Sequence, residues 1–196
     1  LINSGVYLLY ADCISLAAHS NITIRLTDTH DLTTERLYIS SHDTGNSVKA
    51  ILFQDSVTFV RFTSLNVLPG YLLVGKLLEV INKYKINVIS MASSNVSISM
   101  VISASPDTLR IVQKELHKYA EMVIDENMSV IHIIGSLHWK RTQVESHIMN
   151  TIKDIPISQI SYGGSDQCFT LSVHTTDKNR LISLLAAHFF ENEFAT

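Results

Sequence analysis

The sequence has no surplus of positive charge: 15 Lys+Arg stand against 18 Asp+Glu, a formal net charge of -3. Such a surface has little with which to neutralise a phosphate backbone or an anionic bilayer, so neither nucleic acid nor membrane is expected as a partner. Cysteine is nearly absent, and Cys13 and Cys168 lie far apart in the chain. Small secreted folds carry four or more cysteines in a framework, so a reducing cytoplasm is the expected setting and each thiol is read as a small apolar residue. Only 7 Gly and 3 Pro leave little room for linkers or disorder. The longest apolar stretches, Ile51 to Phe53 and Val130 to Ile134, fall far short of the roughly 20 residues that span a bilayer. An initiator Met and a basic signal region are missing from Leu1-Ile2-Asn3-Ser4-Gly5, which reads as a cut from a longer chain.

What is present is globular: 46% hydrophobic against 17% charged over 196 residues, enough for two domains of modest size or one with a small neighbour. Val57 to Thr63 alternates β-branched and aromatic residues with polar ones, the pattern of a half-buried strand. After Pro69-Gly70 the period changes. Leu73, Leu77, Val80, Ile81 and Tyr84 fall on one helical face, opposite Lys76, Glu79 and Lys83. Strands are expected at 87–92 and 97–103, then a helix opened by Ser105-Pro106-Asp107 and buried through Leu109, Val112, Leu116 and Tyr119, then a strand at 121–126.

The same order recurs. Ser129 to Ile134 is a strand, and 142–154 a helix facing inward through Val144, Ile148, Ile152 and Ile155. Strands at 157–162 and 168–173 follow, joined by Gly163-Gly164-Ser165-Asp166, and a last helix over 178–191 is buried through Leu181, Leu184, Leu185 and His188. The period is roughly 70 residues, one βαββαβ unit, which packs two helices on one face of an antiparallel sheet. Residues 1–46 differ: an apolar helical stretch over 5–19, a strand over 22–26, and a polar, turn-rich run from Thr27 to Asn46. A further strand, 47–53, is linked tightly through Gln54-Asp55 to the first repeat.

Val57 to Leu68, the helix after it, Ile86 to Ser97, and Ile160-Ser-Tyr-Gly-Gly-Ser165 resemble the tandem ACT domains of aspartate kinases, most of all the monofunctional lysine-sensitive type. The resemblance covers the whole chain and implies an α+β fold of two ferredoxin-like ACT modules side by side, behind a short remnant of the amino-acid kinase domain. The implied division is 1–46 for the kinase remnant, 57–127 for the first ACT module, and 47–55 plus 128–196 for the second, so that the first is inserted in the second. It also implies a homodimer paired through ACT modules, with an amino-acid effector at the seam acting by feedback inhibition. Lysine stands first, threonine or no ligand behind it; the rival reading is a ligand-free structural dimerisation piece of a kinase or of a fused or inactive kinase polypeptide.

The resemblance departs at chosen places. The Gly-x-x-Val-Leu-His-Pro segment of the family is here Gly5-Val-Tyr-Leu-Leu-Tyr-Ala11, and its Pro-x-x-x-Gly-Thr nucleotide loop is Leu32 to Leu37. No catalytic residue and no cofactor is therefore expected in this fragment; ATP and Mg belong to an intact kinase domain. Two effector-site carboxylates of lysine-sensitive members are replaced by Ile89 and Asn95, which removes charge-assisted partners for a diamine.

The strand-to-helix turn after Asn66 offers helix N–H groups to a carboxylate. Val67, Gly70, Leu73 and Val74 are one candidate wall of an effector site, and Asn87, Val88, Ile89, Ser94 and Asn95 the other; ordinary turn and strand chemistry is the competing reading. Tyr71 and Leu72 are bulky enough to fill such a pocket. Nine histidines include no His-x-x-x-His pair on a helix and none at ligand spacing from Cys, so no metal site is expected. Asp12, Asp28 and His30 show no nucleophile-and-base logic. The Gly163–Asp166 stretch joins two strands and reads as a turn, and Trp139-Lys140-Arg141 as a packed loop or an interface anchor.

Overall fold

The computed structural model describes residues 9–27, 37–40, 48–65, 69–137 and 143–191. The chain divides into two compact units, Leu1–Ser47 and Val48–Thr196. The first holds a helix, α1 (Ala11–His19), and an antiparallel pair, β1 (Ile24–Leu26) with β2 (Leu37–Ile39), in the register Ile24 to Ile39. Of the apolar stretch 5–19, residues 5–8 lie outside the described residues, and α1 begins after Tyr10, which is extended. Strand β2 lies in a stretch that the sequence marks only as polar and turn-rich; Leu37-Tyr-Ile39 is too short for its alternation to register.

The second unit is built on one six-stranded antiparallel sheet in the order β4-β5-β3-β6-β8-β7. Its strands are β3 (Val48–Ser64), β4 (Asn87–Ser93), β5 (Ser97–Ser103), β6 (Ala120–Gly135), β7 (Gln159–Ser161) and β8 (Cys168–His174). Its helices are α2 (Gly70–Lys83), α3 (Pro106–Leu116), α4 (Val144–Thr151) and α5 (Thr175–Ala186), the last followed by a π-helical turn, Ala187–Glu191.

The long strands β3 and β6 correct a sequence expectation. Residues 47–53 and 57–63 read as two strands, as do 121–126 and 129–134, yet each pair is one strand carrying a bulge. The register shifts between Gln54 and Val57 and again between Val57 and Phe59, with Ser56 at φ 58 and Asn127 at φ 44. A bulge adds a residue to one strand and bends it without ending the ladder. The 57–64 end of β3 pairs with β5 and with 120–128 of β6, while its 48–54 end pairs with 130–135. Strand order in the first half is therefore β4-β5-β3-β6, and in the second β7-β8-β6-β3: the same ferredoxin-like arrangement twice, on a shared central pair.

Each half has its own helix-covered core. In the first, Leu73, Leu77 and Val80 of α2 and Leu109, Val112 and Leu116 of α3 bury against Val60, Phe62, Ile98, Met100 and Ile102. Spacing of i, i+4, i+7 in α2 and i, i+3, i+7 in α3 builds one apolar stripe per helix, and each fully buried Leu contributes about 2 kcal/mol. Ser105 caps α3 by accepting from Thr108 N at 3.2 Å, with Pro106 in the first turn.

In the second half, Ile148 of α4, Ile152, Ile155, and Leu181 and Leu185 of α5 cover Ile131, Ile133, Phe169, Leu171 and Val173. Helix α5 begins at Thr175, capped by His174. Leu184, expected inside, is 37% exposed, because Leu181 and Leu185 occupy the inward face and leave it on the flank.

Strand alternation turns a third cluster, Val57, Phe59, Val101, Met128 and Val130 with Ile89, to the face away from the helices. On that face β4 and β7, at opposite ends of the strand order, meet: Gln159 Nε2 donates to Ser90 Oγ at 3.1 Å. Among the described residues no helix is long and apolar enough to cross a membrane.

Candidate functional site

Helix α2 starts directly after Pro69, which is extended and provides no side-chain cap. Leu72 N and Leu73 N both donate to Pro69 O, at 2.9 and 3.2 Å. Helix geometry leaves the amides of Gly70 and Tyr71 without an intrahelical acceptor, the local condition for receiving an anion.

Gly70 sits against the turn between β4 and β5. A Cβ built there lies 2.5 Å from Asn95 O and 3.2 Å from Ser94 O, so only glycine allows this approach. The turn is held by Ser94, whose hydroxyl accepts from Ser97 N at 3.1 Å and contacts Ser97 Oγ at 2.9 Å, while Ser94 N donates to Ser97 O at 2.8 Å. The structure thus brings Gly70, Ser94 and Asn95 together, with the Ser94 hydroxyl engaged in holding its own turn.

The other candidates distribute differently. Leu73 is fully buried in the first-half core, and Val74 and Val88 pack on its margin. Asn87 is exposed and pairs with Ser103. Ile89 sits at the β4 bulge and packs into the third cluster, away from the helices. Side chains of Leu73 and Ile89 are therefore packing groups. Val67 lies outside the described residues, as do Asp28, His30, the 32–36 loop and Trp139-Lys140-Arg141.

Tyr71 and Leu72, bulky enough in the sequence to fill such a pocket, are instead exposed, and further apolar side chains on α2, β4 and the strand ends are open with them. Tyr71 is 73% exposed, Val96 60%, and Leu65, Leu78 and Met91 are also open, as is Leu72. Tyr71 and Leu78 share one face of α2, and β4 ends the strand order with β5 its one ladder partner among the described residues. Leu77-Leu78 did carry the signal: when a helix buries one of two adjacent leucines, the other faces out.

The equivalent junction of the second half is bridged by its own side chains. Tyr162, after β7, places its hydroxyl on the Glu145 carboxylate in the first turn of α4 and 3.0 Å from Leu137 O. Removal from water and the adjacent carboxylate push the Tyr162 phenol up to about 12, and donation from that phenol holds Glu145 below its ordinary range. Gly163, at φ 87, makes the adjoining turn, with Ser165 Oγ accepting from Gln167 N at 3.1 Å.

At the bulges, Asp55 accepts from buried Ser129 Oγ at 2.6 Å and from Lys178 Nζ at 2.7 Å, and its pKa is lowered first by the Lys178 bond. Beside it an open hollow of about 400 Å³ is lined by Thr58, Leu109, Glu126 and Thr175 among others.

No family model matches the sequence. In sequence the chain is 26% identical over 201 residues to aspartokinase 3, chloroplastic, of Arabidopsis thaliana, covering 96% of this chain and 36% of that one. In structure it matches a protein from Porphyromonas gingivalis described as a C-terminal regulatory domain of aspartate kinase, with a TM-score of 0.65 and 28% identity over 72% of this chain and 96% of the other. It also shares a fold with Escherichia coli aspartokinase III in complex with lysine and aspartate, with a TM-score of 0.77 at 19% identity, over 97% of this chain and 44% of that one.

The fold is a tandem of ACT-type α+β modules of the kind found in regulatory domains. In particular, the chain is similar to the C-terminal regulatory region of aspartate kinases, and it spans 36% of the length of the curated relative it matches.

Proposed function

We propose that this chain is the regulatory region of an aspartate kinase and binds a small amino acid, lysine first, at the junction of the α2 start and the β4–β5 turn. The observation that carries this is the close approach of Gly70 to Asn95, which sets the uncapped start of α2 beside a turn. The lysine complex of the E. coli neighbour supports lysine as the first ligand to try. In this reading a second copy of the chain covers Tyr71, Leu72, Leu78 and the β4 edge, and the ligand lies at that two-fold seam.

The division into 1–46, 57–127, and 47–55 with 128–196 belongs to the same proposal, supported by the pairing of 48–54 with 130–135. The fragment performs no chemistry of its own and works in the cytoplasm. Binding at the seam biases an attached kinase domain only by the ligand's difference in affinity between two states.

A second reading, a ligand-free dimerisation piece, is favoured by one observation: Ile89, at a carboxylate position of lysine-sensitive members, is packed into an apolar cluster. Thermal unfolding with each common amino acid separates the two. A ligand at a hundredfold its dissociation constant adds about 2.7 kcal/mol, or roughly 5–10 °C for a unit of this size. An unchanged melting temperature with all of them rejects the sensor, and a monomer in sedimentation rejects both readings.

A further inference from the structure

Sequence spacing keeps the nine histidines apart, yet folding brings two of them into contact from positions 41 residues apart: His147 Nδ1 lies 3.2 Å from His188 Nε2. Their ring centroids are 5.4 Å apart with planes at 48°. His147 projects from α4, where its neighbour Ile148 is fully buried and fixes the helix on the sheet. His188 sits in the π-helical turn that follows α5, a rare departure from α geometry that recurs at functional sites. The Phe189 and His188 rings meet edge to face, with centroids 4.7 Å apart and planes at 88°.

We propose that His147 and His188 form a surface site for a divalent transition-metal ion of the zinc, nickel or copper class, bound through His147 Nδ1 and His188 Nε2. The spacing is what one ion requires. With metal–nitrogen bonds of about 2.0–2.1 Å, two imidazole nitrogens are about 3.3 Å apart at a tetrahedral angle and about 2.9 Å apart at a right angle. The observed 3.2 Å falls between these, so a small ring rotation converts a nitrogen–nitrogen hydrogen bond into a pair of ligands to one ion. Imidazole suits this class of ion and not magnesium or calcium, which prefer oxygen. Among the described residues no group of three or more His, Cys, Asp or Glu is placed to hold a metal. The site is accordingly a two-residue clip, with water in the remaining positions. His147 is exposed and His188 half-exposed, so the ion enters without unfolding anything.

Bound there, the ion joins α4 to the end of α5 over the second-half core and stabilises the folded chain by mass action. The test is calorimetric titration of the chain with zinc chloride, alongside His147→Ala, His188→Ala and His117→Ala. His117, the residue that follows α3, lies against Lys114 O and serves as the control.

One zinc ion per chain is expected, with affinity falling about tenfold or more in each of the first two variants and unchanged in the third. Nitrogen NMR should move at His147 Nδ1 and His188 Nε2 on addition of zinc. Retention of wild-type affinity by either pair variant, or signals moving at other histidines only, overturns the site. Because both side chains lie at the surface, each variant's fold is checked by its melting temperature without metal.

Discussion

Replacing Gly70 by alanine tests whether the α2 start and the β4–β5 turn meet as described. Gly70 has no positive φ, so its backbone accepts alanine without conformational strain. The obstacle is steric: the added Cβ lies 2.5 Å from Asn95 O and 3.0 Å from Asn95 C. Carbon and carbonyl oxygen sit comfortably at about 3.3 Å, so the junction has to open by about 0.8 Å. The obstructing atoms are backbone, held by Ser94 and by the β4–β5 ladder, and cannot rotate away. Overpacking of this kind costs roughly 1–3 kcal/mol.

Gly75, five residues on in the same helix, is the internal control, since nothing lies within 4 Å of its Cβ position. Gly75→Ala should stabilise by roughly 0.5–1 kcal/mol through helix propensity and a less free unfolded chain. Urea unfolding of the two variants should give shifts of opposite sign. At roughly 2–4 °C per kcal/mol the melting temperatures should diverge by several degrees. If Gly70→Ala is as stable as Gly75→Ala, the junction is not closed and the geometry assigned to the candidate site is wrong.

Two further outcomes follow from buried polar groups. His132 is 2% exposed, its Nδ1 is 3.0 Å from Thr170 Oγ1, and burial lowers its pKa, so it folds neutral. The unfolded ring takes up its proton first as pH falls below about 6.5. Stability is thus fully present above that value and declines as pH drops toward the folded pKa. His132→Leu should flatten this part of the urea-midpoint profile between pH 5 and 7, and an unchanged slope would place the titration elsewhere. Tyr162→Phe removes the donor to Glu145, whose Oε2 has no hydrogen-bond partner among the described residues. A loss of roughly 1–3 kcal/mol is expected at neutral pH, together with loss of the wild type's decline above pH 10, where the unfolded phenol ionises before the folded one. A variant matching the wild type in both respects would show that this bridge does not form in solution.

The repeat was legible because its helices state their faces plainly. Leu73, Leu77 and Val80, or Leu109, Val112 and Leu116, are spaced so that no other side can be buried. Ser105-Pro106 announces its helix by capping chemistry alone. The joining of strands across Ser56 and Asn127 was not legible, since non-glycine residues at positive φ carry little sequence signal and a bulge resembles a turn. For the candidate site, Gly70 was named for its turn, but its reason for being glycine is a contact with Asn95, 25 positions away. Leu73 illustrates the opposite case: its spacing places it on the buried stripe, and only its backbone belongs to the helix start. The His147–His188 contact depends on how α4 and the turn after α5 lie together, which no spacing rule reports.

The placement of Ser90 bears on how an effector at the α2–β4 junction would reach the second half. Strand β4 supplies Asn87 to Ile89 and leads into Ser94-Asn95, and the same strand is tied to β7 by the Gln159–Ser90 hydrogen bond. One neutral hydrogen bond contributes about 0.5–1.5 kcal/mol, which limits what it can transmit to about tenfold in affinity at most. Allosteric couplings of about 1–3 kcal/mol are ordinary, so this bond alone covers only the lower part of that range. The remainder has to pass through bodies that move together, and the candidates are the third cluster, which includes Ile89, and the continuous strands β3 and β6. Ile89 packs into that cluster at the β4 bulge. On the proposed reading, Ile89→Asp would therefore place an unpaired carboxylate against the apolar cluster and loosen this link between the halves.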